Sequence, residues 1–271
     1  MELQIYRHLW GITEAWETLF PRIKDLKYSG IEHILPDEGD RERFRKLLDL
    51  HGFDYIAQVV TTGTTVTDHL KSFQRVVEEA RTLGPRKINC HSGCDWFSEE
   101  EARRFFGEAL EFESRVGVPV AHETHRGRIL YNPWTTQRIL TEYPQLNLSC
   151  DFSHWVLVCE RLLEGETDIV RQAAERCIHI HARVGYEEGP QVPDPRAPEY
   201  ERHVLAHERW WDMVWDAQRR RGMKESTLTP EFGAPDYLHT LPYTRTPVAD
   251  LWEICNWQAE RQRSRFSARG R

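Results

Sequence analysis

Residues 118–123 read VPVAHE, a short run rich in β-branched residues that ends on a carboxylate. Side chains alternate across a strand with a period of two. Val118 and Val120 therefore share one face, and Ala121 and Glu123 share the other. The same split recurs downstream. In LNLSCD (146–151), Asn147, Ser149 and Asp151 oppose Leu146, Leu148 and Cys150. In CIHIHA (177–182), His179 and His181 oppose Ile178 and Ile180. In STLTPE (226–231), Thr227, Thr229 and Glu231 oppose Leu228. Upstream, in KINCH (87–91), Asn89 and His91 oppose Ile88 and Cys90. Five consecutive strands thus carry one apolar face and one polar or small face.

Three further β-rich runs precede these, at 2–6, 30–35 (GIEHIL) and 53–61 (FDYIAQVVT). Helical patterns separate the runs. Trp16, Leu19, Phe20, Ile23 and Leu26 recur at helical spacing. Ser98 with Glu101 forms a capping box opening a helix through 115, and Thr246-Pro247 reads as the start of the last helix. Eight strand–helix units in 271 residues fit a single α/β domain, a (β/α)8 barrel spanning 1–271. The alternative is a doubly wound open sheet. It would want a Gly-x-Gly-x-x-Gly cradle after the first strand, and the turn there reads RHLWGIT. The longest irregular stretch, 183–205, reads as a lid loop in which Tyr186 and Gln191 close over a ligand. The basic stretch 261–271 reads as a solvated, partly frayed tail.

In a barrel the apolar faces meet the helices, so the polar faces converge on the axis. Glu123, Asp151, His181 and Glu231 all fall at C-terminal strand ends, where barrel enzymes place their chemistry. Three carboxylates buried together without partners would be very costly. One divalent cation is the simplest remedy, and three carboxylates with an imidazole suit Mn2+, Mg2+, Co2+ or Zn2+. The competing reading is four unrelated polar strand ends, and their common register on consecutive strands weighs against it. His91 sits where it lines the same space or holds a second metal. Trp10, Trp96 and Trp155 each follow a strand end, where an aromatic face suits the C–H face of a sugar or simply packs. His125, Arg126 and Arg128 are loop residues able to reach a substrate or to stay in solvent.

The formal net charge of −7 argues against a polyanion as the main partner. No 18-residue apolar run exists for a membrane span, and MELQIYRHLWG lacks the apolar stretch of a secretory signal. Six dispersed cysteines in a chain this long read as reduced thiols of a cytoplasmic protein.

AHETHRGR (121–128), CDFSHW (150–155), HIHARVGYEEGPQVPDP (179–195) and TPEFG (229–233) resemble the xylose-isomerase-like barrel superfamily. That superfamily holds sugar isomerases and epimerases, among them ketose 3-epimerases, with inosose dehydratases and abasic-site endonucleases. The resemblance implies that Glu123, Asp151, His181 and Glu231 are the metal ligands and that Glu123 and Glu231 serve as opposed acid and base. It implies that His154, in D-x-x-H, lies beside metal or substrate. The ketose epimerases carry an arginine six residues after the metal histidine; Glu187 stands there, and Arg183 is the nearest substitute. The endonucleases need further zinc ligands. No histidine lies near VVTTG, and their Asp-x-His is Asp194-Pro195-Arg196 here, which disfavours a three-zinc nuclease.

The expectation is a metal-dependent isomerase or epimerase of a carbohydrate, acting by proton transfer through a metal-stabilised enediolate. The alternative is a lyase or dehydratase on a keto-cyclitol or keto-glycoside; an endonuclease or a non-catalytic binding barrel is less favoured. No phosphate-binding signature is present. The aromatic stretch 239–257 suits either an interface in a homo-oligomer or a buried barrel helix.

Overall fold

The structure is a computed structural model and describes residues 1–269. Eight parallel strands close on themselves in chain order. They are β1 (Glu2–His8), β2 (Gly30–Ile34), β3 (Asp54–Val60), β4 (Lys87–His91), β5 (Val120–Glu123), β6 (Leu148–Cys150), β7 (Cys177–His181) and β8 (Glu225–Thr229). Between and after them run α1 (Trp16–Asp25), α2 (Arg41–His51), α3 (Val66–Arg81), α4 (Glu99–Val116), α5 (Pro133–Glu142), α6 (Phe152–Cys159), α7 (Thr167–Ala174), α8 (Glu201–Arg220) and α9 (Leu251–Arg269). This is the (β/α)8 barrel that the alternation predicts.

The two strand faces go where their polarity sends them. Ile88, Cys90, Val120, Leu148, Cys150, Ile180 and Leu228 join the buried layer packed with the helices. The polar faces meet across the axis. Lys87 Nζ, low in the barrel, donates to Thr227 Oγ1 at 2.9 Å and to the Ile178 carbonyl at 2.7 Å. Burial of its ammonium pushes the Lys87 pKa down to about 8. One level higher, Asn89 Nδ2 donates to Glu32 Oε1 at 3.3 Å and to Glu123 Oε2 at 2.7 Å. Gly30 is required on β2, because a Cβ there would stand 2.2 Å from the Asp54 carbonyl and 2.6 Å from the Tyr6 ring.

Helix starts follow local chemistry. Ser98 and Glu101 form the expected capping box of α4, and Thr65 with Asp68 forms another on α3. The last helix does not open at Thr246-Pro247. Those residues stay in a loop, with Pro247 bridged to Thr240, and α9 begins at Leu251. There the Asp250 side chain accepts the Glu253 N–H at 3.1 Å, a better cap than a threonine four residues earlier.

The stretch 183–205 is also shorter and more firmly held than a free lid. Residues 201–205 belong to α8, and Tyr186 and Gly189 pair their backbones. Gln191 is buried, accepting the Gly233 N–H at 2.6 Å and donating to the Gly233 carbonyl at 3.2 Å. The basic tail is no frayed end either. Arg261 pairs with Glu208, Arg265 with Glu208 and Asp212, and Arg269 with Asp212 and Asp216, so α9 is clasped to α8. Residues 270–271 lie outside the described residues. Leu241, Tyr243 and Val248 are exposed in the loop before α9, whereas Ile254 and Cys255 are fully buried. The six cysteines are free thiols. Among the described residues no helix is long and apolar enough to cross a membrane.

Candidate active site

The four residues singled out by strand parity converge. Glu123 ends β5 and His181 ends β7; Asp151 follows β6 directly, and Glu231 lies just beyond β8. Each offers a ligand atom within 4.8 Å of the other three, and all four are buried. Asp151 also starts α6, accepting the Ser153 N–H at 3.0 Å through Oδ1, which leaves Oδ2 turned to the centre.

Arg183 enters this centre from two residues past His181. Its Nη2 donates to Asp151 Oδ2 at 2.6 Å and to Glu231 Oε2 at 2.8 Å. The pairing holds the guanidinium pKa above its usual range despite burial. Glu32, on β2, takes the far side of the key histidine. It accepts from His181 Nε2 at 2.9 Å and sits 3.1 Å from His179 Nε2. With Nε2 engaged, His181 presents Nδ1 to the carboxylates, 2.9 Å from Glu231 Oε2 and 3.6 Å from Glu123 Oε2.

The charges are strongly coupled. Burial alone would push His181 down, but Glu231, Glu32 and Glu123 together raise it well above the ordinary histidine value. Burial likewise works against the Glu32 and Glu123 carboxylates; His181 and His179 hold Glu32 low, and His91 and His181 hold Glu123 low. Asp151 is raised, chiefly by burial and with help from Glu123 and Glu231, against the pull of Arg183.

The residues present fit a divalent cation. Glu123 Oε1 is buried without a hydrogen-bond partner, and His181 Nδ1, though 2.9 Å from Glu231 Oε2, makes no well-directed hydrogen bond, both in the middle of the four-residue cluster. Native proteins rarely leave such atoms unpaired. Carboxylate oxygens and a neutral imidazole nitrogen are the donors that Mn2+, Mg2+, Co2+ or Zn2+ would take.

Above this centre opens a cavity of about 510 Å³. Of the residues expected to bind substrate, Trp10, His91, His125 and Arg183 line it, as does Glu231. His154 is fully buried, behind the wall, with its ring 3.9 Å from that of His125 and its Nε2 3.3 Å from Arg183 Nη2. His91 Nε2 lies 2.8 Å from Glu123 Oε2. The other two tryptophans stay outside. Trp155 is buried, donating to the Leu130 carbonyl at 3.1 Å, and Trp96 is exposed against Phe97. Glu187 pairs with Arg202 and His203, and Asp194 with Arg196.

Glu32, Gln58 and Tyr237 belong to the site and escape the parity reading. Gln58 Nε2 donates to Glu231 Oε1 at 3.1 Å. Tyr237 sets its ring edge-on to Trp10 at 4.9 Å and lies 4.9 Å from the Arg183 guanidinium. The available signal for Glu32 is an ionisable residue inside the apolar run GIEHIL, which a buried strand admits only with partners.

Comparison with known proteins agrees with the fold. No curated protein sequence matches the chain. A structure of a probable 3-DHS dehydratase involved in petrobactin synthesis, from Bacillus anthracis, superimposes with a TM-score of 0.61 at 12% identity, covering 95% of this chain and 97% of that one. A 3-keto-D-glucoside 4-epimerase from E. coli gives 0.60 at 13% identity, covering 97% and 100%. A xylose isomerase-like TIM barrel protein from Mycobacterium smegmatis, solved in complex with magnesium, gives 0.55 at 12% identity, covering 95% and 94%. At these identities the likeness is one of fold. The profile of one family matches residues 20–216, well over half of the chain. The closed parallel barrel and that match together place the chain in the xylose isomerase-like TIM barrel family.

Proposed function

We propose that this protein is an isomerase or epimerase of a sugar or sugar derivative, dependent on one divalent cation held by Glu123, Asp151, His181 and Glu231. The observation that carries the reading is the meeting of two glutamates, from β5 and β8, with an aspartate and a histidine at one buried point below an open cavity. When bound there, the cation would polarise a carbonyl oxygen as a Lewis acid.

The chain's own residues supply the proton chemistry. Glu231 reaches the cavity wall, so it is placed to take a proton from the carbon beside the carbonyl. Glu123 keeps Oε1 unengaged while Asn89 and His91 hold Oε2, so once it has taken up a proton, passed to it through His91 at 2.8 Å, it can deliver that proton from the other side. Arg183 has Nη1 unpartnered at the same wall and can donate to the oxygen on which negative charge develops. Glu32 fixes the histidine tautomer that turns Nδ1 inward.

The test is mass spectrometry of ketoses, uronates and keto-glycosides after incubation with Mn2+-loaded protein in D2O. A substrate that gains one deuterium at unchanged composition is the expected result. A product lighter by one water would replace the reading with a lyase acting through the same first proton abstraction. No exchange across the panel would remove the proton-transfer reading altogether.

A further inference from the structure

The cavity has two unlike halves. Its floor carries Glu231, Arg183, Glu32, Gln58 and His91. Its outer wall is Leu9, Trp10, Ile12 and Ile34, with Tyr237 between the halves. This wall is built. Gly233 has no side chain where a Cβ would stand 2.2 Å from the Trp10 ring, so the indole lies directly on the backbone. Tyr237 meets the same ring edge-on at 4.9 Å. Trp10 nonetheless stays 38% exposed and Ile34 52% exposed. An indole locked in place with an open face is a stacking platform rather than a core residue.

The charge pattern narrows what reaches the floor. The lining holds one arginine and no lysine, and that arginine already balances Asp151 and Glu231 through Nη2, leaving only Nη1 for a ligand. Two carboxylates, Glu32 and Glu231, face the same space. Burial pushes the lining His33 down to about 4, so it adds no charge at neutral pH. On the floor a dianionic phosphate would meet two carboxylates and only this one, already paired, cation; Arg126 lies over Tyr237 at 5.0 Å, outside the lining. A cavity of about 510 Å³ also lies within the roughly 300–1,000 Å³ range of sites that enclose drug-sized ligands.

Building on the proposed reaction, we infer that the substrate is an unphosphorylated glycoside: a reacting sugar on the polar floor, joined to a second ring with an apolar face that stacks on Trp10 and Ile34. The second ring is a sugar or an aromatic aglycone, which share that apolar face.

Calorimetry on the Mn2+-loaded protein tests this with five probes: a free ketohexose, its 6-phosphate, a methyl keto-glucoside, a 4-nitrophenyl keto-glucoside and a keto-disaccharide. The 4-nitrophenyl compound or the disaccharide should bind at least tenfold more tightly than the methyl glycoside and the free ketose, and whichever leads identifies the ring. The phosphate should bind no better than the free ketose. In Trp10→Ala and Ile34→Ser the two-ring advantage should fall to within twofold. Gly233→Ala, which drives a Cβ into the indole, should act like Trp10→Ala. Tightest binding by the phosphate, a two-ring advantage that survives Trp10→Ala, or no binding by any probe would overturn the inference. Binding in the expected order without deuterium exchange would leave it standing and sink the proposed reaction. Exchange with the order reversed would do the opposite.

Discussion

His122 and Glu123 are adjacent in the chain and point to opposite sides of β5, into two buried polar systems of different character. His122 enters the helix layer, where its Nε2 lies 2.8 Å from Glu113 Oε1 and its Nδ1 lies 2.6 Å from Ser92 Oγ. Phe106 meets the ring edge-on at 5.1 Å. Burial alone would lower this imidazole, but the Glu113 carboxylate beside it lifts the pKa to about 10. One cation faces one anion, and both ring nitrogens have partners. Glu123 enters the axis, where it, Glu32, Asp151 and Glu231 share Arg183 and the histidines, and where Glu123 Oε1 has no partner. A finished buried pair belongs to the architecture. An unfinished one is a place kept for a ligand.

Substitutions separate the two systems. The largest effect is expected for Glu231→Gln, which should lower kcat by about 10²–10⁴, the usual worth of a general acid or base. Turnover is to be taken per folded molecule, because the change also removes a buried partner of Arg183 and His181; a variant with full turnover would strip Glu231 of its role. Glu113→Gln should do the reverse. Removing one partner of a buried ion pair costs about 3–5 kcal/mol, read as a lower denaturation midpoint, while kcat per folded molecule stays unchanged.

The pH dependence of stability sharpens the contrast. His122 has a folded pKa of about 10, above the 6.5 of an ordinary histidine. Between those values the native state holds a proton that the unfolded chain releases. The contribution of this pair is therefore complete below about pH 6.5 and is lost as pH rises through 10. Unfolding free energies measured across that window should fall with pH in the parent and lose that slope in Glu113→Gln.

Cation binding at the axis should raise stability by about 2.7 kcal/mol at a hundredfold excess over Kd. Thermal melts with Mn2+ and then with excess chelator check this, and Asp151→Asn should abolish the shift. Last, Glu32→Gln should weaken cation affinity about 10- to 100-fold by releasing the His181 tautomer, measured by calorimetry without any substrate. An unchanged affinity would leave Glu32 as packing only.

Much of this was legible in the residues. Strands β4 to β8 announce themselves because helices cover one face, which must be apolar, while the axis tolerates Asn89, Ser149, His179 and Thr227. Counting by twos then points to Glu123, Asp151, His181 and Glu231 without any contact information. Glu32 is hidden because GIEHIL has no polar partners on its own strand; those partners, His179 and His181, lie about 150 positions away, as the 147- and 149-residue separations of the two pairs show. Gln58 and Tyr237 are set by the same long-range closure. The start of α9 is misread because Thr-Pro is a sound local signal, overridden by the bridge from Thr240 to Pro247. The tail is misread because RQRSR (261–265) looks solvated until the acidic stripe of α8 is laid beside it.

That clasp has a consequence for synthesis. β1 must wait for β8, its partner from the far end of the chain, before the cylinder can close. Glu208, Asp212 and Asp216 remain mutually repulsive until Arg261, Arg265 and Arg269 leave the ribosome. A nascent chain halted before β8 would therefore hold an open sheet, and one halted between β8 and α9 would hold all eight strands but leave the acidic stripe of α8 bare.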